Sequence, residues 1–200
     1  MRPIVGLLLA AGIGTRFDPT GARLKLLEPA PAGAHAGRPL AVAAALNLKG
    51  AVDELVAVVR PIDDEPQRAL HAALADAGCR LVVCESAREG MGASLACGVR
   101  ATSHAAGWLI ALADMPAIAP ATIAAVAQAL RAGCVAAAAF VGDRRGHPVG
   151  FSAACFEELA RLTGDAGARS VLAAHPPFRV AVDDRGALLD IDSPSDLRSP

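Results

Sequence analysis

The sequence predicts an α/β fold: a mostly parallel, Rossmann-like central sheet flanked by helices, in one domain over residues 1–200. Three observations predict it. Short apolar runs alternate with longer Ala- and Leu-rich stretches, the pattern of a parallel sheet covered on both faces. The first run, residues 4–10, is apolar throughout, as a strand buried on both faces must be. With 200 residues, 54% hydrophobic and a mean hydropathy of +0.41, the chain can form a substantial core. A chain of that size buries roughly 70% of its unfolded surface and needs no disulfide or metal staples.

The elements follow in order. Residues 4–10 form the first strand and 39–48, rich in Ala and Leu, the first helix. The β-branched run at 55–59 is a second strand, followed by a helix over 63–77 and a third strand at 81–84. A helix over 92–102 leads to a fourth strand at 108–112. Pro120 then opens a helix that runs to 132, since a missing amide costs nothing in a first turn. Residues 134–141 give a fifth strand, although Ala138 and Ala139 suit a helix equally well. Gly and Pro punctuate 142–151, leaving a short strand at 149–151. Helices at 155–162 and 168–174, a strand at 178–182 and a last helical turn at 193–197 complete the chain. Residues 29–37 read as a mobile loop.

Composition excludes several classes. Net charge is −1, with no block of like charge, and Tyr is absent, so stacking platforms for nucleic acid are missing. No apolar run approaches the roughly 18 residues of a spanning helix, so no membrane partner is expected. Five scattered cysteines without a paired spacing suit a reducing compartment and point to a cytoplasmic protein.

In open α/β sheets ligands sit beyond the carboxyl ends of the strands. After the first strand comes Leu9-Ala10-Ala11-Gly12-Ile13-Gly14-Thr15-Arg16-Phe17, then Lys25. Glycines let amides approach a phosphate, and cations neutralise it. A P-loop would need Gly-Lys-Ser/Thr here, and a dinucleotide fingerprint would need Gly where Phe17 stands. A plain turn with surface cations fits the loop as well. Only Lys25 and Lys49 are lysines among 19 basic residues, which favours a specific use for the compact charge of Lys25. Asp114, followed by Met115-Pro116 at the end of the fourth strand, is placed either to hold Mg²⁺ or to cap a turn. Asp190 and Asp192 alternate, so one of them reaches the cleft, and Asp192 could also cap the final turn. Gly90-Met91-Gly92-Ala93-Ser94 opens a helix whose amides and Ser94 hydroxyl suit a base, ribose or phosphate. His147 either faces a second substrate or is a turn residue beside Pro148.

These segments, together with Arg145-Gly146-His147-Pro148-Val149, Gly164-Asp165-x-Gly167-Ala168-Arg169 and Asp190-Ile191-Asp192-x-Pro194, occur in one order over residues 4–197. The ordered set resembles the MobA-like NTP-transferase family, and within it the molybdenum cofactor cytidylyltransferase (MocA-like) branch. The resemblance implies that an acceptor phosphate attacks the α-phosphorus of CTP, transfers CMP to molybdopterin and releases pyrophosphate. It implies nucleotide contacts from Leu9, Ala10, Ala11, Gly12, Gly14, Thr15, Gly92 and Ser94, and catalytic roles for Arg16, Lys25 and Asp114. Asp114 and Asp192 would hold Mg²⁺, and His147 and Arg169 would face the acceptor. It also implies a transient molybdoenzyme or chaperone partner. Ala11, where the related guanylyl branch carries Gly, points to CTP by analogy. The stretch between Arg16 and Lys25 is longer than the family's, so Arg23 could share the role of Lys25.

Three other functions compete. The acceptor could be a sugar or polyol phosphate, or the nucleotide GTP. The chain could deliver a cofactor without turnover, which the presence of both Asp114 and Asp192 argues against. A nicotinamide-dependent oxidoreductase is disfavoured by Phe17.

Overall fold

A computed structural model describes residues 2–20 and 23–198. Among them a seven-stranded sheet has the order β3-β2-β1-β4-β6-β5-β7. Its strands are β1 (Ile4–Leu9), β2 (Glu54–Val59), β3 (Arg80–Val83), β4 (Gly107–Leu112), β5 (Ala136–Val141), β6 (Arg144–Ser152) and β7 (Phe178–Ala181). All pairings are parallel except those of β6, which runs against β4 and β5. The α/β class and mostly parallel sheet expected from the sequence are the ones observed.

Alternation along β1 distributes its side chains between two cores. Ile4 and Leu8 pack with α1 (Leu40–Lys49), α2 (Glu65–Asp76) and α4 (Pro120–Arg131) on one face. Val5 and Leu7 pack with α3 (Met91–Ala101), α5 (Phe156–Ala160) and α6 (Arg169–Ala174) on the other. Gly98 lets α3 lie close on the sheet, because a Cβ there would stand 2.8 Å from Val58. Trp108, fully buried on β4, satisfies its indole by donating to the Thr102 hydroxyl at 2.8 Å.

The chain leaves β1 toward β2 and β3, then returns through α3 to β4 on the other side of β1. That reversal opens a crevice at the carboxyl ends of β1 and β4, where an α/β sheet places its ligand.

Several expectations need correction. The strand expected at 149–151 is the nine-residue β6. Its polar start is a solvent-facing hairpin arm, with Arg144 paired to Val141 across the turn at Gly142. The helix expected over 155–162 is a 3-10 turn followed by the five-residue α5. The last turn lies at Asp196–Arg198. Residues 29–37 are a stitched loop: Ala30 donates to Arg38 at 2.7 Å, Gly37 donates to Ala30 at 2.8 Å, and Pro29 pairs with Pro39. All five cysteines are unpaired, and among the described residues no helix is long and apolar enough to cross a membrane.

Candidate functional site

A cleft of about 640 Å³ opens at the carboxyl ends of β1 and β4. Its floor is the loop after β1. Gly14, at φ +74°, turns the chain so that Phe17 and Asp18 both donate to its carbonyl. Phe17 is buried against Ala30, Leu40, Ala43 and Ile191, which anchors the far end of the loop. Between these anchors the amides of residues 11–16 donate to no other backbone carbonyl among the described residues. Successive unengaged amides of this kind make an anion-binding concavity.

Charge lines one wall. Lys25 lies on a 3-10 turn between buried Leu24 and Leu26 and is itself only 8% exposed. Its ammonium donates to Asp114 Oδ2 at 2.7 Å and stands 3.5 Å from Asp192 Oδ1. Arg16 pairs with the other oxygen of Asp192. The Asp190–Asp192 segment is tied to the end of β4 by Ile191, whose amide donates to the Asp114 carbonyl at 2.9 Å. Thus two carboxylates from distant parts of the chain share one buried cation.

The other Asp114 oxygen, Oδ1, is buried and has no hydrogen-bond partner among the described residues. An orphaned carboxylate oxygen beside a second carboxylate fits a hard divalent cation, which takes one or two protein carboxylates and completes its shell with phosphate and water. Among the described residues no group of three or more His, Cys, Asp or Glu gathers, so an all-protein cage is not what this wall offers.

Backbone contact builds the opposite wall. Gly90 and Gly92 start α3, and the segment 163–165 lies directly against them. A Cβ on Gly90 would collide with Asp165, and one on Gly92 would stand 2.5 Å from the Thr163 carbonyl. The Gly92 amide donates to Gly164 at 2.7 Å. Ser94 faces the cleft, its hydroxyl donating to the Gly90 carbonyl at 3.3 Å.

Of the residues singled out from sequence, the structure brings Leu9, Ala11, Gly12, Gly14, Thr15, Arg16, Lys25, Ser94, Asp114 and Asp192 to this cleft. Others lie elsewhere. Ala10 is fully buried and its amide donates to Val58 in the sheet, and the Gly92 amide is engaged by Gly164. Arg169 is exposed at the start of α6, outside the cleft. His147 also lies outside it, on β6, with Nδ1 buried and without a partner among the described residues. Burial pushes its imidazole below the ordinary value, against opposing pulls from a hydrogen bond to the Ile110 backbone and from the Asp114 carboxylate. Asp190 is exposed and stays out of the cleft, so Asp192 is the member of the pair that reaches it. Asp192 is not seen to cap the final turn: its amide and that of Ser193 donate to the carboxylate of Asp196, the first residue of that turn. Arg23 turns away from this centre and pairs with Glu28.

Sequence reasoning assigns no role to two charged cleft residues, Arg88 and the Asp165 of the Gly164–Arg169 motif. Arg88 follows β3 on a 3-10 turn, and Asp165 arrives on the loop before α6. The signal that would have found them is the pairing of glycine clusters, Gly90 and Gly92 with Gly164 and Gly167, which marks two backbones in close approach.

The chain is similar to several known proteins. A family model described as the MobA-like NTP transferase domain matches residues 6–179. Nicotine blue oxidoreductase of Paenarthrobacter nicotinovorans is 32% identical over 200 residues, 95% of this chain and 92% of that protein. The purine catabolism protein PucB of Bacillus subtilis (strain 168) is 36% identical over 121 residues, and the match spans 58% of each protein. Rv0371c from Mycobacterium tuberculosis H37Rv matches in structure with a TM-score of 0.80 and 31% identity, over 98% of this chain and 96% of that one. A second structure of Rv0371c, in complex with manganese, matches with a TM-score of 0.76 and 29% identity over the same shares.

Proposed function

The chain belongs to the MobA-like NTP transferase domain family, and from that premise we propose that it is a nucleotidyltransferase that moves CMP from CTP to molybdopterin. The observation that carries the transfer reading is Lys25 held between Asp114 and Asp192 beside a row of unengaged amides. The acceptor and the base rest on the ordered motifs that resemble the cytidylyltransferase branch.

In this reading the amides of residues 11–16 receive the triphosphate, and Lys25 and Arg16 neutralise it. Asp114 and Asp192 would hold a divalent cation, Mg²⁺ in the cell. That the 29% identical Rv0371c has been solved in complex with manganese supports a divalent ion in this reading. When bound, that ion neutralises charge on the phosphates and on the departing pyrophosphate. An oxygen of the acceptor phosphate bonds to the α-phosphorus, and the bond from that phosphorus to the bridging oxygen breaks, releasing pyrophosphate. The attacking phosphate is already ionised, so the chain need supply no general base. Its work is positioning and charge stabilisation.

Purified protein with Mg²⁺, molybdopterin and each nucleoside triphosphate in turn tests the reading by pyrophosphate release. Release with CTP, dependent on molybdopterin, is expected. Release from none of the four triphosphates with any phosphate acceptor would sink it, and release with a sugar phosphate alone would replace the acceptor.

A second reading is favoured by one finding, the 32% identity to a protein named nicotine blue oxidoreductase. It predicts oxidation of NADH or NADPH by the purified protein and no pyrophosphate. Phe17, buried where a dinucleotide loop would carry Gly, counts against it.

A further inference from the structure

Arg88 and Asp165 line the same cleft, and the nucleotidyl-transfer chemistry uses neither. They flank the start of α3 from two directions. Arg88 lies two residues before Gly90, and Asp165 Oδ1 packs directly on Gly90. The guanidinium is 67% exposed and anchored at one nitrogen, which donates to Asp63 Oδ2 at 2.9 Å. Its remaining donors have no partner among the described residues.

Their position assigns them to one end of a bound nucleotide. The unengaged amides, Lys25 and the two carboxylates take the triphosphate end at the floor and at the wall below β4. The base must then extend toward α3, where Arg88 and Asp165 stand.

We propose that Arg88 and Asp165 read the edge of the base and select cytosine. The inference rests on the nucleotidyltransferase reading above and adds a specificity to it. A guanidinium fork wants two adjacent acceptors. On their pairing edges, cytosine alone offers that pair, O2 and N3, with an N4 amine beside it as a donor. Uracil and guanine place an N–H between or beside single acceptors, and adenine has one ring acceptor. Arg88 therefore supplies donors to O2 and N3, and Asp165 accepts from N4. Asp165 also works by exclusion: uracil would turn its O4 lone pairs toward the carboxylate, a repulsion that discriminates as effectively as an attraction.

Calorimetric titration with CTP, UTP and inorganic tripolyphosphate, each with Mg²⁺ and without acceptor, tests the pair. Wild type should bind CTP roughly tenfold or more tightly than UTP, as a well-placed bidentate contact implies. Arg88→Ala should lose that advantage and leave tripolyphosphate affinity unchanged. Arg88→Lys should not restore it, because a point charge lacks the fork. Asp165→Asn should tighten UTP and close the gap from the other side, since an amide can donate to O4. Both side chains are exposed, and circular dichroism confirms that the variants are folded.

Equal binding of CTP and UTP by wild type would overturn the inference while leaving the transferase reading intact. So would an Arg88→Ala variant that keeps the CTP preference, or one that loses CTP and tripolyphosphate affinity alike, which would make Arg88 a phosphate clamp. A wild-type protein that binds neither triphosphate nor tripolyphosphate would instead remove the transferase reading, and this inference with it.

Discussion

The wall that carries Asp114 and Asp192 is held together by charge, whereas the wall that carries Gly90 and Ser94 is held by close backbone contact. The first is a set of ions that satisfy one another: Lys25 between two carboxylates, and Arg16 on the second of them. Any phosphate or cation that enters must compete with those pairs, so ligands there exchange partners with the protein. The second wall carries the exposed Arg88–Asp63 pair at its edge, and its frame is backbone. Its shape follows from two missing Cβ atoms and one amide-to-carbonyl bond, and it is ready before a ligand arrives. One half of the cleft responds to charge, and the other provides a fixed surface.

The largest effect that would sharpen this contrast is on turnover. Asp114→Ala and Lys25→Ala should each slow pyrophosphate release by about 10²–10³, the typical cost of one electrostatic contact made to the transition state. Near-normal rates from folded variants would remove the charge wall from the chemistry.

On the fixed wall the expected loss is in stability. Gly92→Ala puts a methyl group 2.5 Å from the Thr163 carbonyl, and overpacking of that kind costs roughly 1–3 kcal/mol. Chemical denaturation measures it. An unchanged midpoint would mean that the 163–165 segment yields freely and the wall is not fixed.

A smaller effect separates the two duties of Lys25. Lys25→Met leaves Asp114 and Asp192 without their shared cation, and an uncompensated, largely buried carboxylate seeks another. Manganese, followed by electron paramagnetic resonance without nucleotide, should bind this variant several-fold more tightly than wild type, while tripolyphosphate binds more weakly. Weaker manganese binding would show that Lys25 does not compete for the carboxylates.

The smallest effect is one of pH. Hydrogen bonds from the Ser193 hydroxyl, then from the amides of Ser193 and Asp192, hold the Asp196 carboxyl below its ordinary value. A carboxyl depressed in the folded state contributes stability above its unfolded value and loses it as pH falls through the folded one. Wild type should therefore lose more of its melting temperature between about pH 6 and about pH 3 than Asp196→Asn does. Equal losses would detach that turn from the acid response.

The fold was legible wherever burial alone sets the pattern. Residues 4–9 are apolar because β1 is covered on both faces, and α4 begins at the proline that marks it. Legibility failed at β6, where Arg144, Gly146 and Pro148 carry turn chemistry yet lie in a strand, held there by pairing with β5 and β4. In the cleft, Asp114 and Lys25 showed themselves because a carboxylate at a strand end and a rare lysine near a glycine loop are local signals. Arg88 did not, and Asp165 stood in a motif without a role. They share a wall only because 163–165 docks on the start of α3, and that contact is set by tertiary packing rather than by the residues beside them.

The bond from the Ile191 amide to the Asp114 carbonyl has a consequence for biogenesis. A ribosome finishes all seven strands of the sheet before it adds the segment that brings Asp192 beside Lys25. Until then a nascent chain holds a single carboxylate at that wall, so the second carboxylate joins Lys25 only after all seven strands have been made.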